Sequence, residues 1–230
     1  MYASDARDDD LCIVEGRLSI EVLLDSPYEP LSLLIAERLA DDPLAATFPG
    51  EVIVASQERI DATVGFNMHR GMVACARRGE PKTLAEVATD AHTLLVAECI
   101  SDPENLGALF RNAAAFGVDG ILLDPTTCDA LSRRVIRVSM GHALRVPFAR
   151  GPIGSLDGFT TIALTPDAPW DIADVRADRV ALFVGNEGNG LSPALLDAAD
   201  VRAAIPMAKG VDSLNVSTAA AVALALLRRR

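Results

Sequence analysis

At 230 residues, half of them apolar, the chain is long enough for one large or two small domains, each with a core of its own. Aromatic residues make up only 4% and the net charge is −11, a balance that, taken alone, argues against a nucleic-acid partner. Cys12, Cys75, Cys99 and Cys128 are scattered without a C-x-x-C pair or a nearby histidine, so they read as reduced packing residues, with no metal site and no disulfide framework expected. No stretch resembles a signal peptide, and the most apolar segment, Val216–Leu227, is too short to span a bilayer. A cytoplasmic protein without a membrane partner is the expectation.

The first ten residues, with Asp8, Asp9 and Asp10 together, read as a frayed lead-in. From Cys12 to about Arg78 the pattern predicts a compact α/β unit. Ile13–Gly16 leads into a short helix near Leu18–Leu24, and a second helix is predicted over Leu31–Leu39. A strand at Val52–Ala55, a short helix at Gln57–Thr63 and a strand at Gly71–Cys75 follow. The run Arg77–Pro81 breaks the pattern and marks a linker. Beyond it the chain reads as a strand at Thr93–Glu98, a helix at Asn105–Phe116 closed by Gly117, a strand at Gly120–Leu123 and a helix near Ser132–Ser139. Strands at Thr161–Leu164, Val180–Val184 and Val201–Ile205 come next, with a last helix from about Ser213 to Leu227. Strands alternating with helices predict a parallel sheet covered on both faces. Two domains are expected, over residues 1–80 and 90–230.

The charge is unevenly spread. Residues 1–90 carry 17 acidic and 8 basic side chains, residues 91–230 carry 15 and 13. Between Ala130 and Leu156 lie Arg133, Arg134, Arg137, Arg145, Arg150 and His142 without a single acid. This is either a solvated arginine-rich face or a strip that contacts phosphates.

Three motifs stand at the predicted strand ends. In Asp102–Ala113, Asp102 can cap a helix that Pro103 opens, Asn105 and Asn112 share a stripe, and Arg111 leans back over Gly107 and Ala108. An arginine paired with a surface acid is the alternative for Arg111. In Gly185-Asn186-Glu187-Gly188-Asn189-Gly190-Leu191-Ser192, a buried strand ends in three glycines within six residues, which allows close approach to the backbone. Ser192 and Pro193 fit an ordinary helix start, but Asn186 and Glu187 are not explained that way. The glycine order does not fit a dinucleotide fingerprint, and no lysine follows as in a P-loop. In Ile205–Ser217 a strand ends at Pro206, loops through Gly210 and enters a nearly all-apolar helix that Asp212 or Ser213 would cap; capping is also the alternative reading for Asn215. Such a helix is buried or covered by another subunit.

With N-x-x-x-x-x-R-N, G-N-E-x-x-G-L-S and I-P-M-x-x-x-x-x-S-L-N-V-S in this order, the chain resembles the SpoU-type RNA 2′-O-ribose methyltransferases of the SPOUT superfamily. Val14-Glu15-Gly16 and Gly65–Gly71 carry a looser similarity to the ribosomal-protein-like RNA-binding domain that often precedes the catalytic one. The resemblance implies an α/β fold: a parallel-sheet SPOUT domain with a deep trefoil knot, behind a small α/β RNA-binding domain. It implies S-adenosylmethionine as cofactor, held by Gly185, Asn186, Gly190, Ile205, Met207 and Leu214. Catalysis would fall to Arg111, with Asn105, Glu187, Ser213 and Asn215 orienting it, and no metal is required. Structured RNA is the implied substrate, rRNA ahead of tRNA, gripped by His69, Arg70, Arg133, Arg134 and Arg145. The implied assembly is a homodimer. The competing readings are a SPOUT-like protein that binds RNA without catalysis and a nucleotide-binding enzyme.

Overall fold

The computed structural model describes residues 10–65, 67–186 and 188–228. The acidic lead-in over residues 1–9, Phe66, Glu187, Arg229 and Arg230 lie outside the described residues. The chain divides into two compact units, Met1–Glu80 with Asp129–Arg145, and Pro81–Cys128 with Val146–Arg230. The break after Glu80 falls inside the Arg77–Pro81 run, whereas the segment over residues 129–145 belongs to the first unit.

In chain order the first unit holds β1 (Leu11–Glu15), α1 (Arg17–Leu24), β2 (Glu29–Ala36), α2 (Pro43–Thr47), β3 (Glu51–Ala55), α3 (Gln57–Val64) and β4 (Met72–Arg77). The second unit begins with α4 (Leu84–Ala88), β5 (Thr93–Ala97), α5 (Pro103–Phe116) and β6 (Gly120–Leu123). The chain then contributes α6 (Arg133–Val138) to the first unit. It resumes the second with β7 (Phe148–Arg150), β8 (Thr160–Leu164), β9 (Trp170–Asp171), β10 (Val180–Val184), α7 (Pro193–Ala198), β11 (Val201–Ala204) and α8 (Val216–Leu227).

The first unit is built on a four-stranded sheet in the order β1-β4-β2-β3. β4 runs antiparallel to β1 and β2, and β2 runs parallel to β3. Leu31–Ala36 is therefore a strand, not the predicted helix, and a short 3-10 turn at Glu37–Leu39 follows it. The reason is position: β2 lies between two strands and is buried on both faces, so its apolar run carries no period that separates strand from helix. Leu34, Ala36, Val73 and Cys75 meet Ile60, Val64 and Met68 in one cluster under α3. α3 starts at Ser56, whose hydroxyl accepts the Arg59 N–H, and ends at Gly65 in the left-handed conformation. Burial pushes the Cys12 thiol up to about 12, so this cysteine is an inert packing residue.

α6 packs against β1. Ser132 caps it, and Val135 and Ile136 are its buried residues. Arg133 donates from Nε to Glu15 Oε2 at 3.1 Å, and the Glu15 side chain is only 6% exposed. Removing one partner from such a pair strands a buried charge. Arg133→Ala is therefore expected to destabilise the protein by about 3 kcal/mol and lower Tm by about 6 °C or more. Adding Glu15→Gln should recover part of that loss in a thermal melt; no recovery would mean that the pair is not what holds α6.

The second unit has a seven-stranded sheet in the order β7-β6-β5-β10-β8-β11-β9, and every pairing in it is parallel. β6 and β10 are buried throughout, as expected where both faces of a parallel sheet are covered. One face packs Leu94, Val96, Phe159, Phe183, Leu191 and Leu195 into a core. α5 and α8 pack on each other, burying Leu106, Leu109, Phe110 and Ala113 of α5 with Ala220, Ala223 and Leu224 of α8. Phe110 also meets Phe148 edge-on at 5.6 Å. Among the described residues, no helix is long and apolar enough to cross a membrane.

Candidate active site

β8, β10 and β11 run parallel, so their carboxyl ends share one edge of the sheet, where open α/β folds place their ligands. A cavity of about 410 Å³ opens there, within the usual range for small-molecule pockets, lined from three loops. Gly185, Asn186 and Gly190 follow β10; Ile205, Met207, Ser213 and Leu214 follow β11. All six residues expected to hold a cofactor are thus gathered at one place, together with Ser213. Leu164, Thr165, Pro166 and Asp167, which follow β8, form the third wall. None of the three motifs includes them, although Thr165-Pro166-Asp167 is a turn-type tripeptide directly behind a strand. Asp167 is the one ionisable side chain among the described lining residues.

The loop after β10 folds back on itself. Asn186 and Gly190 form an isolated antiparallel bridge, and the Gly190 N–H donates to the Asn186 carbonyl at 2.8 Å. A Cβ on Gly185 would stand 2.3 Å from the Gly190 carbonyl oxygen and 2.5 Å from the Leu191 nitrogen. The close approach that this glycine permits is therefore made by its own loop. Asn186 is occupied as well. Its Oδ1 accepts the Gly188 N–H at 2.7 Å and the Asn189 N–H at 3.3 Å, and its Nδ2 donates to the Cys99 carbonyl at 3.0 Å. Ser192 caps α7 through the Leu195 N–H, and its own N–H donates to Glu98 Oε2 at 2.7 Å.

The helix behind the third motif starts later than expected. Its cap is Asn215, not Asp212 or Ser213: Asn215 Oδ1 accepts from the Ser217 and Thr218 N–H groups. Asn215 Nδ2 also donates to Asn105 Oδ1 at 2.8 Å, and Asn112 Nδ2 donates to the Ser217 carbonyl at 2.8 Å. The two asparagines on one stripe of α5 thus clamp the start of α8, one residue from cavity-lining Leu214 and Val216. Asp102 caps α5 through the Glu104 N–H. Arg111 lies further along α5, is exposed, and does not line the cavity. Among the described residues it has no ion pair.

Cys99 is exposed and takes a left-handed backbone conformation with φ of 57°, which corrects its reading as a packing residue. Its N–H donates to Asp124 Oδ1 at 2.9 Å. Burial alone would push the Asp124 carboxyl up, but hydrogen bonds from Thr126, Thr127 and Cys99 outweigh it and hold the carboxyl below its ordinary value. No group of three His, Cys, Asp or Glu side chains suited to a metal ion occurs among the described residues.

All five residues expected to grip RNA fall in the first unit. His69 and Arg70 are exposed, as are Arg134 and Arg145. The His69 carbonyl accepts from Arg38, and the Arg70 side chain lies over Gly16. Arg133 is tied to Glu15. Arg150 belongs to the second unit, where it donates to the carbonyls of Thr127 and Cys128. The arginine run is therefore divided between the two units. Glu187 lies outside the described residues.

The model of the SpoU rRNA Methylase family matches residues 92–225, the stretch that holds all three motifs and the cavity. An uncharacterized tRNA/rRNA methyltransferase of Mycobacterium tuberculosis is 42% identical over 229 residues, covering 93% of this chain and 79% of its own. The chain belongs to the SpoU rRNA methylase family. It is an RNA methyltransferase of that family, and the same description is carried by a relative in Mycobacterium leprae, 33% identical over 217 residues and covering 88% of this chain and 70% of its own. Among solved structures, an RNA 2′-O ribose methyltransferase is 30% identical with a TM-score of 0.80, over 96% of this chain and 89% of that one. The AdoMet-bound rRNA methyltransferase of Sinorhizobium meliloti is 25% identical with a TM-score of 0.84, over 96% and 88%. A SpoU methyltransferase of Streptomyces viridochromogenes in complex with AdoMet is 21% identical with a TM-score of 0.86, over 98% and 94%, and supports the fold alone.

Proposed function

We propose that the protein transfers a methyl group from S-adenosylmethionine to a ribose 2′-hydroxyl of structured RNA, rRNA rather than tRNA, as a homodimer with a knotted SPOUT domain. The observation that carries this reading is the single cavity where the second and third motifs meet, with the first motif fastened to its rim by the bond between Asn105 and Asn215. The residues fit the cofactor. Ile205, Met207 and Leu214 offer apolar walls to a base, the 185–190 backbone offers polar groups at close range, and Asp167 offers a carboxylate to a cation.

Bound there, S-adenosylmethionine supplies an activated methyl group. The task left to the chain is to align the hydroxyl oxygen with that carbon and to stabilise the alkoxide that develops. Arg111 supplies the positive charge. Arg111 acts as a cation on the adjoining phosphate and the oxygen, not as the base, and the hydroxyl proton passes to water as the oxygen–carbon bond forms and the carbon–sulfur bond breaks. Asn105 and Asn215 hold α5 against α8 and so set where Arg111 stands. Ser213 orients the ribose from the cavity wall, and Glu187 is assigned to the same task by its motif. An exposed Arg111 outside the cavity lining, and half-buried Val222 and Leu226 on α8, favour a second copy completing the site.

Mapping 2′-O-methylation in total RNA with and without the gene tests the reading: one ribose should lose its methyl group. If no site changes, the catalytic reading falls and binding without catalysis remains. Affinity for rRNA should fall steeply with salt, and replacing Arg134 and Arg145 by Ser should lower the slope of log K against log salt by roughly one to two. A slope that does not change would remove these arginines from the RNA surface.

A further inference from the structure

The loop that lines the cavity has three glycines in residues 185–190 and, among its described residues, no helix or strand beyond the bridge between Asn186 and Gly190, so bonds from outside it help to hold its shape. Its fastenings converge on one dipeptide. The Glu98 N–H donates to the Val184 carbonyl at 2.9 Å, carrying the ladder between β5 and β10 one step beyond their ends. The Cys99 carbonyl accepts from Asn186 Nδ2 at 3.0 Å, and Glu98 Oε2 accepts the Ser192 N–H at 2.7 Å. Both ends of the loop therefore hang from residues 98 and 99.

The Cys99 carbonyl can face Asn186 because its residue adopts φ of 57°. A non-glycine residue keeps such a conformation only where its surroundings dictate it. Here they do. Asp124 Oδ1 takes the Cys99 N–H at 2.9 Å, Thr127 Oγ1 takes the Ile100 N–H at 3.1 Å, and the Ile100 carbonyl takes the Cys128 N–H at 2.8 Å. The loop after β6 thus fixes the turn after β5, and that turn fixes the loop after β10.

We propose that Glu98 and Cys99, braced by Asp124, are positioning residues that set the shape of the cavity without touching its ligand. The proposal rests on the cofactor reading above. Glu98 acts as a hydrogen-bond acceptor for a backbone N–H, not as a charge, and Cys99 acts through its backbone. The thiol has no part in it.

The test is calorimetric titration of the full chain with S-adenosylhomocysteine, the stable product of the cofactor. Glu98→Ala should weaken binding about tenfold or more, the cost of leaving one part-buried N–H without its acceptor. Glu98→Gln keeps an oxygen in place and should stay within about threefold of the parent. Cys99→Gly accepts the left-handed conformation and should bind like the parent, whereas Cys99→Val, a β-branched residue forced to positive φ, should weaken binding about tenfold. In both weak variants the Gly188 and Asn189 amides should exchange with solvent faster than in the parent. The proposal is overturned if Glu98→Ala binds like the parent, if Glu98→Gln falls as far as Glu98→Ala, or if the two Cys99 variants bind alike. Should Glu98→Ala fail to fold, the Glu98→Gln result and the Cys99 pair decide the matter. If the parent chain itself takes up no S-adenosylhomocysteine, the cofactor reading has failed, and amide exchange in the same variants still decides whether residues 98 and 99 hold the loop.

Discussion

Replacing Arg111 by Ala is expected to lower kcat about a hundred- to a thousandfold, the usual loss when one donor to a developing oxyanion is removed, while S-adenosylhomocysteine binds within about threefold of the parent. The separation of the two effects follows from where the side chain stands. Arg111 is exposed on α5 and is absent from the cavity lining. The helix itself is held by other residues: Asn105 and Asn112 bond to the start of α8, and Leu106, Leu109 and Phe110 are its buried anchors. Truncating Arg111 therefore leaves both the helix and the cavity in place and removes only the charge. Arg111→Lys should restore part of the rate, because a cation returns, but without the bidentate reach of a guanidinium. Single-turnover methylation of rRNA and calorimetry on the same preparations give the two quantities. Equal losses in both would show that Arg111 serves the cofactor and not the hydroxyl.

The fold and the site are legible in the sequence to different depths. The strand-end motifs were visible because glycine, proline and capping residues mark chain direction changes locally. Ser56, Asp102, Ser132 and Ser192 all cap the helices they precede. β2 is not distinguished from a helix by its sequence, because a strand buried on both faces loses its alternation, and only the partners β3 and β4 decide its form. The late start of α8 was hidden by three competing caps, Asp212, Ser213 and Asn215, and the choice among them is made by Asn105, 110 residues away. Distance also concealed the allegiance of the arginine run. Arg133 finds Glu15 at a separation of 118 residues, whereas Arg150 finds the carbonyls of the adjacent loop. The bracing of the glycine loop by Glu98 and Cys99 lay in residues with no motif at all. Cys99 acts through its carbonyl, which every residue has, and Glu98 through one carboxylate oxygen bonded to a backbone N–H 94 residues away, so neither leaves much mark on the local pattern.

Gly185 tests the loop from the inside. Its φ lies outside the left-handed region, so alanine can adopt its backbone conformation without strain, and any cost must come from space. That space is already taken by backbone: the Gly190 carbonyl carbon at 2.4 Å as well as its oxygen at 2.3 Å, and the Leu191 nitrogen at 2.5 Å. A side chain could swing aside, but these atoms cannot move without breaking the bridge between Asn186 and Gly190. Gly185→Ala is therefore expected to displace the loop and weaken S-adenosylhomocysteine about a hundredfold, with the roughly 1–3 kcal/mol of an overpacked site lowering Tm by several degrees. Gly190 offers the contrast. Its φ is +67° and nothing stands within 4 Å of an added Cβ, so Gly190→Ala meets only the left-handed penalty of about 1–2 kcal/mol. Gly190→Asn should lose less, since asparagine visits that region more readily. The expected order of affinity is parent, Gly190→Asn, Gly190→Ala, Gly185→Ala. A Gly185→Ala protein that binds within about threefold of the parent would mean that the loop yields without loss of the cavity, and that its folded-back shape is not what receives the ligand.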